Sequence, residues 1–164
     1  MPFYSEDILS LPLGRHFVVL SRMYYGAFTK MLEQPDLDKY FTVLLMISNH
    51  PEKCTQQCLS KTGQIDKAQV THILDELIEK GYVQKAQNPD DRREYLIHLT
   101  EKGQQLIPKI KEAMQQLLDV AFADVSEDER TTFLKVLQSA YCNLSELPAN
   151  PVTIQVVSNK KQTK

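Results

Sequence analysis

The sequence predicts a mainly α-helical fold with one small β-ribbon, an α+β arrangement. Three observations predict it. Val70, Ile73, Leu74, Leu77 and Ile78 fall at i, i+3, i+4, i+7 and i+8, a full match to the amphipathic helix template. A short polar stretch, 55–63, precedes that helix across a three-residue turn and reads as a second helix. Directly after it, 82–87 and 94–99 are rich in β-formers and flank Asn88-Pro89-Asp90-Asp91, where proline presets φ and Asn and Asp tolerate tight conformations. Helix, turn, helix and hairpin in direct succession amount to a winged helix-turn-helix.

The first predicted helix is 11–32. Leu13, Phe17, Leu20, Tyr24, Ala27 and Met31 alternate in fours and threes and form a seam, which Val18, Val19, Met23, Phe28 and Leu32 widen. A helix so apolar belongs either in a core or against a partner chain, and both readings stay open. Gln34-Pro35 ends it. The second helix covers 37–47, with Asp38 as N-cap, Phe41, Leu44, Leu45 and Ser48 on one face, and His50-Pro51 as its stop. In 55–63 Thr55 is the N-cap, Leu59 points inward and Gly63 lies near the end. The helix over 66–80 starts on Asp66, with Gln69 completing a capping-box variant, and Gly81 closes it.

Thr100 begins a long helix whose seam is Leu106, Ile110, Ala113, Leu117 and Val120 or Ala121; Pro108 should bend it near its second turn. Ser126 to Glu129 is a capping box that starts a last helix, with Phe133, Leu134, Leu137, Ala140, Tyr141 and Leu144 on its apolar face and Cys142 packing on it. Beyond Pro148, residues 152–157 form a strand or an arm, and the lysine-rich end is expected to be disordered.

Composition narrows the function. At 164 residues, one domain with helical extensions is the default. No apolar run approaches the ~20 residues that span a bilayer. The N-terminus lacks a basic region followed by an apolar core, so the expected location is the cytoplasm, with no membrane partner. There is no glycine-rich phosphate loop, no nucleophile or paired-carboxylate motif, and no metal-ligand cluster. An enzyme is therefore not expected, and neither is a metal or cofactor. The net charge of −2 means that any nucleic-acid binding must come from a local patch.

Two patches qualify. Arg92 and Arg93 sit together at the hairpin tip, suited to a nucleic-acid groove. On helix 66–80 the exposed N-terminal half presents Lys67, Ala68, Gln69, Thr71 and His72, which are neutral or basic, and Gln69 carries an amide able to pair with adenine. The C-terminal half presents Asp75, Glu76 and Glu79, which phosphates repel. A recognition helix entering the major groove by its N-terminus fits that polarity; a solvated helix face of mixed charge fits it too. Cys54, Cys58 and Cys142 are an odd number without disulfide spacing.

Residues 37–107 resemble the MarR (multiple antibiotic resistance regulator) family of bacterial transcription factors. The resemblance lies in the run from Ile65 to Leu77, in Glu79-Lys80-Gly81-Tyr82-Val83, and most specifically in Asn88-Pro89-Asp90-Asp91-Arg92-Arg93 followed by Leu99-Thr100-Glu101-Lys102-Gly103. It implies a single domain over 1–164, with a DNA-binding lobe over 37–99, a helical dimerisation region over 10–33 and 100–147, and a flexible or extended tail over 148–164. The implied function is that of a homodimeric regulator binding double-stranded DNA at a pseudo-palindromic operator, a repressor released by a small aromatic ligand. The implied DNA contacts are Thr55, Lys67, Ala68, Gln69, Thr71, His72, Arg92 and Arg93, with Asp90 or Asp91 orienting a wing arginine through an ion pair. The ligand-pocket candidates are His16, Tyr24, Tyr25 and Phe28, against simple packing of those rings.

Where the family often carries arginines on the recognition helix, this chain has Lys67 and His72. The family's peroxide-sensing arrangement is missing, since no cysteine lies in 1–53. Two rival readings remain: a winged-helix module that binds protein, and a regulator under redox control through Cys54 and Cys58.

Overall fold

The structure is a computed structural model that describes residues 12–32, 37 and 40–148. Its elements run α1 (Leu13–Leu32), α2 (Phe41–Asn49), α3 (Gln56–Gly63), α4 (Lys67–Glu79), β1 (Val83–Gln87), β2 (Tyr95–Leu99), α5 (Glu101–Ala121) and α6 (Glu127–Ser145). They fall into two compact units. One is Met23–Leu117; the other joins the residues up to Arg22 to those from Leu118 onward.

The core described here lies in Met23–Leu117. Phe28, Leu37, Leu44, Leu59, Leu74, Leu77, Ile97 and Ile110 are fully buried in it. Phe28 stacks on Phe41 with ring centroids 4.1 Å apart, so the end of α1 is tied to the start of α2 by aromatic packing. Of the five inward residues of α4 predicted from its 3.6-residue period, Val70, Ile73, Leu74 and Leu77 are buried and Ile78 is half-buried.

Several local expectations change. Helix α2 starts at Phe41 with Tyr40 as its N-cap, two residues after the expected cap, and Val43 and Ile47 join Phe41 and Leu44 in the core. The expected cap Asp38, the stop at Gln34-Pro35 and the tail from 149 onward lie outside the described residues. Thr55 caps α3 as expected, accepting from Cys58 N, and the left-handed residue that ends α3 is Gln64, φ 49°. On α4 the Asp66 carboxylate accepts from Ala68 N, two residues in. Among the described hydrogen bonds Gln69 makes no return bond, so the cap is single. The capping box at Ser126 is complete, with both reciprocal bonds to Glu129. Helix α5 continues through Pro108.

The predicted apolar face of α6 is uncovered in the single chain: Leu134 and Tyr141 are more than half exposed and no residue of α6 is buried. Cys142, expected to pack on it, is exposed for the same reason. Leu13, Phe17, Leu20 and Met23 on α1 are likewise exposed.

The hairpin is an antiparallel ladder from Val83↔Leu99 at its base to Gln87↔Tyr95 near its tip. Its other edge is held too. Ile97 N donates to Cys54 O at 2.7 Å, and Thr55 bridges to Leu96, so the residues before α3 act as a short third strand.

The base of the hairpin is a dense joint. Gly81, at φ 73°, ends α4 with its N–H on Ile78 O, while Tyr82 N reaches Leu77 O, the Schellman pair. The next carbonyls are then received by the start of α5. Lys102 Nζ donates to Lys80 O at 2.8 Å, Thr100 Oγ1 to Gly81 O at 2.7 Å and Thr100 N to Tyr82 O at 3.0 Å. Lys102 also lies 4.1 Å above the Tyr82 ring. Thr100 Oγ1 in turn accepts from Gly103 N, capping α5. A Cβ on Gly103 would overlap the Tyr82 carbonyl oxygen and press on Leu99.

Gly103→Ala should therefore destabilise the protein. Helix propensity favours alanine by about 1 kcal/mol, but overpacking against backbone costs up to about 3 kcal/mol. Urea unfolding should show a lower midpoint; a midpoint raised by the helix gain alone would mean that the joint has room to open.

Candidate nucleic-acid interface

The predicted contact residues on α4 occupy one exposed face: Lys67, Ala68, Gln69, Thr71 and His72 are all open to solvent. They are not equally available. The Thr71 hydroxyl donates to Lys67 O at 2.9 Å and accepts from the Gln56 amide, which also reaches Lys67 O at 3.3 Å. Gln56 thus ties the first turn of α3 to the first turns of α4. Sequence reading missed it because the contact joins residues on different helices and no periodicity marks it. Thr55 is half-buried; its side chain caps α3 and its backbone pairs with β2, so its position is set by the fold first.

The acidic half of α4 is partly neutralised. Asp75 pairs with Lys85 of β1 at 3.2 Å, linking helix to hairpin. Glu76 Oε1 lies 2.8 Å from His72 Nε2, and Glu76 Oε2 accepts from the Tyr40 hydroxyl. The i, i+4 spacing of His72 and Glu76 was visible in the sequence. The Tyr40 and Lys85 contacts were not, since both are between elements.

At the hairpin tip Arg92 and Arg93 are exposed, and among the described residues neither forms an ion pair. The ion pair expected from Asp90 or Asp91 to a wing arginine is not among the described ion pairs. The Asp91 carboxylate accepts from Arg93 N at 2.9 Å, and Asn88 Oδ1 accepts from Asp90 N at 3.0 Å. Such Asx turns satisfy backbone donors locally. Gln87 Nε2 adds a bond to Arg92 O, and Glu94 N closes the turn on Asp91 O. The tip is shaped through backbone groups, and both guanidiniums are left without a carboxylate.

Three of the proposed pocket residues, Tyr24, Tyr25 and Phe28, form one run of ring contacts with Phe41. Phe28 is fully buried on Phe41, Tyr25 packs on both Phe41 and Tyr24, and the two tyrosines are half-buried against the core. Burial raises the pKa of the Tyr24 phenol, with Tyr25 adding to it. His16 belongs to the other compact unit, with Nδ1 3.3 Å from Pro12 O. A hollow of about 330 Å³ lies instead along Met31, Leu32, Lys109, Glu112, Ala113 and Gln116.

Cys54 is buried and Cys58 is half-buried. Burial pushes the Cys54 thiol up to about 11, with Cys58 adding to the shift. That weakens the redox reading, because the thiolate is the reactive form. At pH 8, well below that value, Cys54 stays almost entirely a thiol in the folded protein. Mass spectrometry after brief iodoacetamide treatment at pH 8 should find Cys54 unmodified in the folded protein and modified in denaturant. Rapid labelling of folded Cys54 would restore the redox reading.

With this geometry in view, comparison with known proteins is direct. A sequence profile described as the MarR family matches residues 39–95. A proposed transcriptional regulatory protein for the hcr operon of Thauera aromatica is 31% identical over 110 residues, 67% of this chain and 66% of its own length. YdgJ, an uncharacterized HTH-type transcriptional regulator of Bacillus subtilis strain 168, is 32% identical over 106 residues, 65% of either chain. The chain thus spans just under two thirds of these two relatives. A crystal structure of a mutant MarR from E. coli complexed with operator DNA superposes with a TM-score of 0.72 at 25% identity, covering 83% of this chain and 98% of that one. On fold, sequence profile and relatives together, the chain belongs to the MarR family of transcriptional regulators.

Proposed function

We propose that the chain is a homodimeric, sequence-specific DNA-binding repressor that occupies a pseudo-palindromic operator. The observation that carries this reading is the pairing of two surfaces. A hairpin tip whose two guanidiniums have no carboxylate partner among the described residues stands on the same compact unit as a helix whose exposed N-terminal half carries no acidic side chain. Lys67, Gln69 and His72 enter the major groove, where Gln69 can pair with adenine. Thr71, held by Gln56, and Thr55, at the start of α3, approach the backbone. Arg92, with Arg93 beside it, enters the neighbouring minor groove and reads its width and potential. The complex of the E. coli relative with operator DNA supports this mode. A protein-binding hairpin would favour an apolar or acidic tip.

In this reading residues 37–99 form the DNA-binding lobe, 10–33 and 100–147 the dimerisation region, and 148–164 an extension. The exposed leucines and aromatic rings of α1 and α6 supply the apolar area that an obligate interface needs.

Titration on the duplex immediately upstream of its own gene, at two salt concentrations, tests the DNA mode. Arg92→Ala should bind at least several-fold more weakly, and the slope of log K against log salt should fall by about 1. An unchanged slope would rule out a phosphate-engaged tip, and equal binding to a scrambled duplex would rule out an operator. Leu137→Asp should sediment as a monomer and lose operator binding; a monomeric wild-type protein would end the dimer reading.

A further inference from the structure

His72 lies at the middle of the exposed face of α4, and its ring is held at one nitrogen only. Nε2 is 2.8 Å from Glu76 Oε1. Glu76 is itself fixed from inside the fold, because its other oxygen accepts the hydroxyl of Tyr40. Tyr40 is 4% exposed, and a buried phenol hydroxyl needs an acceptor. The carboxylate is therefore shared: one oxygen serves the core, and the other serves the surface.

This sharing fixes the chemistry of the imidazole. An ionised carboxylate only accepts hydrogen bonds, so the hydrogen sits on Nε2. In a neutral imidazole the other nitrogen must then be an acceptor. Nδ1 is that acceptor, and no described hydrogen bond engages it. In the major groove the donors are the amino groups of adenine N6 and cytosine N4, whereas guanine O6 and thymine O4 are acceptors. An acceptor presented there meets a donor on one strand of each base pair and a lone pair on the other.

We propose that Glu76 is a positioning residue that fixes the tautomer of His72, and that His72 Nδ1 reads an amino base, adenine or cytosine, against a keto base. The base-reading part rests on the DNA-binding function proposed above. It also gives Glu76 a role on a helix that approaches phosphates. Its charge is already engaged by two donors, so it repels DNA less than a free carboxylate would. A lysine or arginine at position 72 would do the opposite of His72, since those side chains pair with guanine.

Two measurements test this. In the free protein with ¹⁵N-labelled histidine at pH 8.5, above the ordinary imidazole range, the ring shifts of His72 should show hydrogen on Nε2. The signal is assigned by its loss in His72→Ala. In Glu76→Gln the glutamine oxygen takes the Tyr40 hydroxyl and its amide faces Nε2, so the hydrogen should move to Nδ1. Hydrogen on Nδ1 in the wild type, or no change in Glu76→Gln, overturns the role of Glu76.

The second measurement scans every single-base substitution in the upstream duplex at the same pH. At one symmetry-related pair of positions, exchanging an amino for a keto base should weaken wild-type binding about ten-fold. His72→Ala should flatten that position alone, and Glu76→Gln should reverse its preference. A His72→Ala protein that keeps every positional preference overturns the base reading. If the wild type selects no duplex, the DNA-binding function falls and the base reading falls with it, while the ring shifts still decide whether Glu76 sets the tautomer.

Discussion

The close approach of Gly103 to the carbonyl of Tyr82 is the constraint on which α4, the hairpin base and the start of α5 depend. The last carbonyls beyond a helix have no partners of their own. Here Lys80, Gly81 and Tyr82 follow one another off the end of α4, and all three are taken by donors from two residues, Thr100 and Lys102. Only a residue without Cβ at position 103 lets the first turn of α5 come close enough to do this. The Lys102 ammonium also sits where a helix dipole favours a cation. Helix α4, the base of the hairpin and the start of α5 thus share their end groups, and a rotation of the α5 start carries α4 and the hairpin base with it. Without its N–H, Pro108 offers no donor to Gln104 O one turn further on, so α5 is less stiff just beyond the joint.

A second set of contacts orients α4 within this frame. Gln56 fastens its first turns to α3, Lys85 fastens Asp75 to the hairpin, and Tyr40 fastens Glu76 to the core. Each uses a polar group that would otherwise compete on the exposed face. The chain as a whole is slightly acidic, with a net charge of −2. On α4 Asp75 and Glu76 are engaged locally, while among the described residues the tip arginines form no ion pair.

Periodic features were legible in the sequence, and between-element features were not. The apolar stripe of α4, the caps at Thr55 and Ser126, the hairpin and its turn could be read because each is set by neighbours within a few residues. The start of α2 was misplaced because an apolar run carries no internal stop, and the burial of Tyr40 decides it. Sequence shows the ring chemistry of Tyr24, Tyr25 and Phe28 without showing what those rings pack on; Tyr25 and Phe28 pack on Phe41. Cys142 was assigned to packing from the apolar face around it, but burial of that face is not a property of a single chain.

The hairpin tip shows why the distinction matters for function. An Asp–Arg ion pair was the natural expectation from Asp90-Asp91-Arg92-Arg93. Such a pair would hold the arginine only by occupying the groups proposed to engage DNA, and salt would loosen it. Binding would then have to break the pair before gaining a phosphate. The observed tip avoids the conflict. Asn88 and Asp91 satisfy backbone N–H groups, so the turn is shaped by short-range bonds that do not involve either guanidinium. Order at the tip and charge at the tip are therefore carried by different atoms. Ionic strength can weaken the encounter with a polyanion without unshaping the loop that makes it, so the salt dependence of binding reports phosphate contacts rather than loop order.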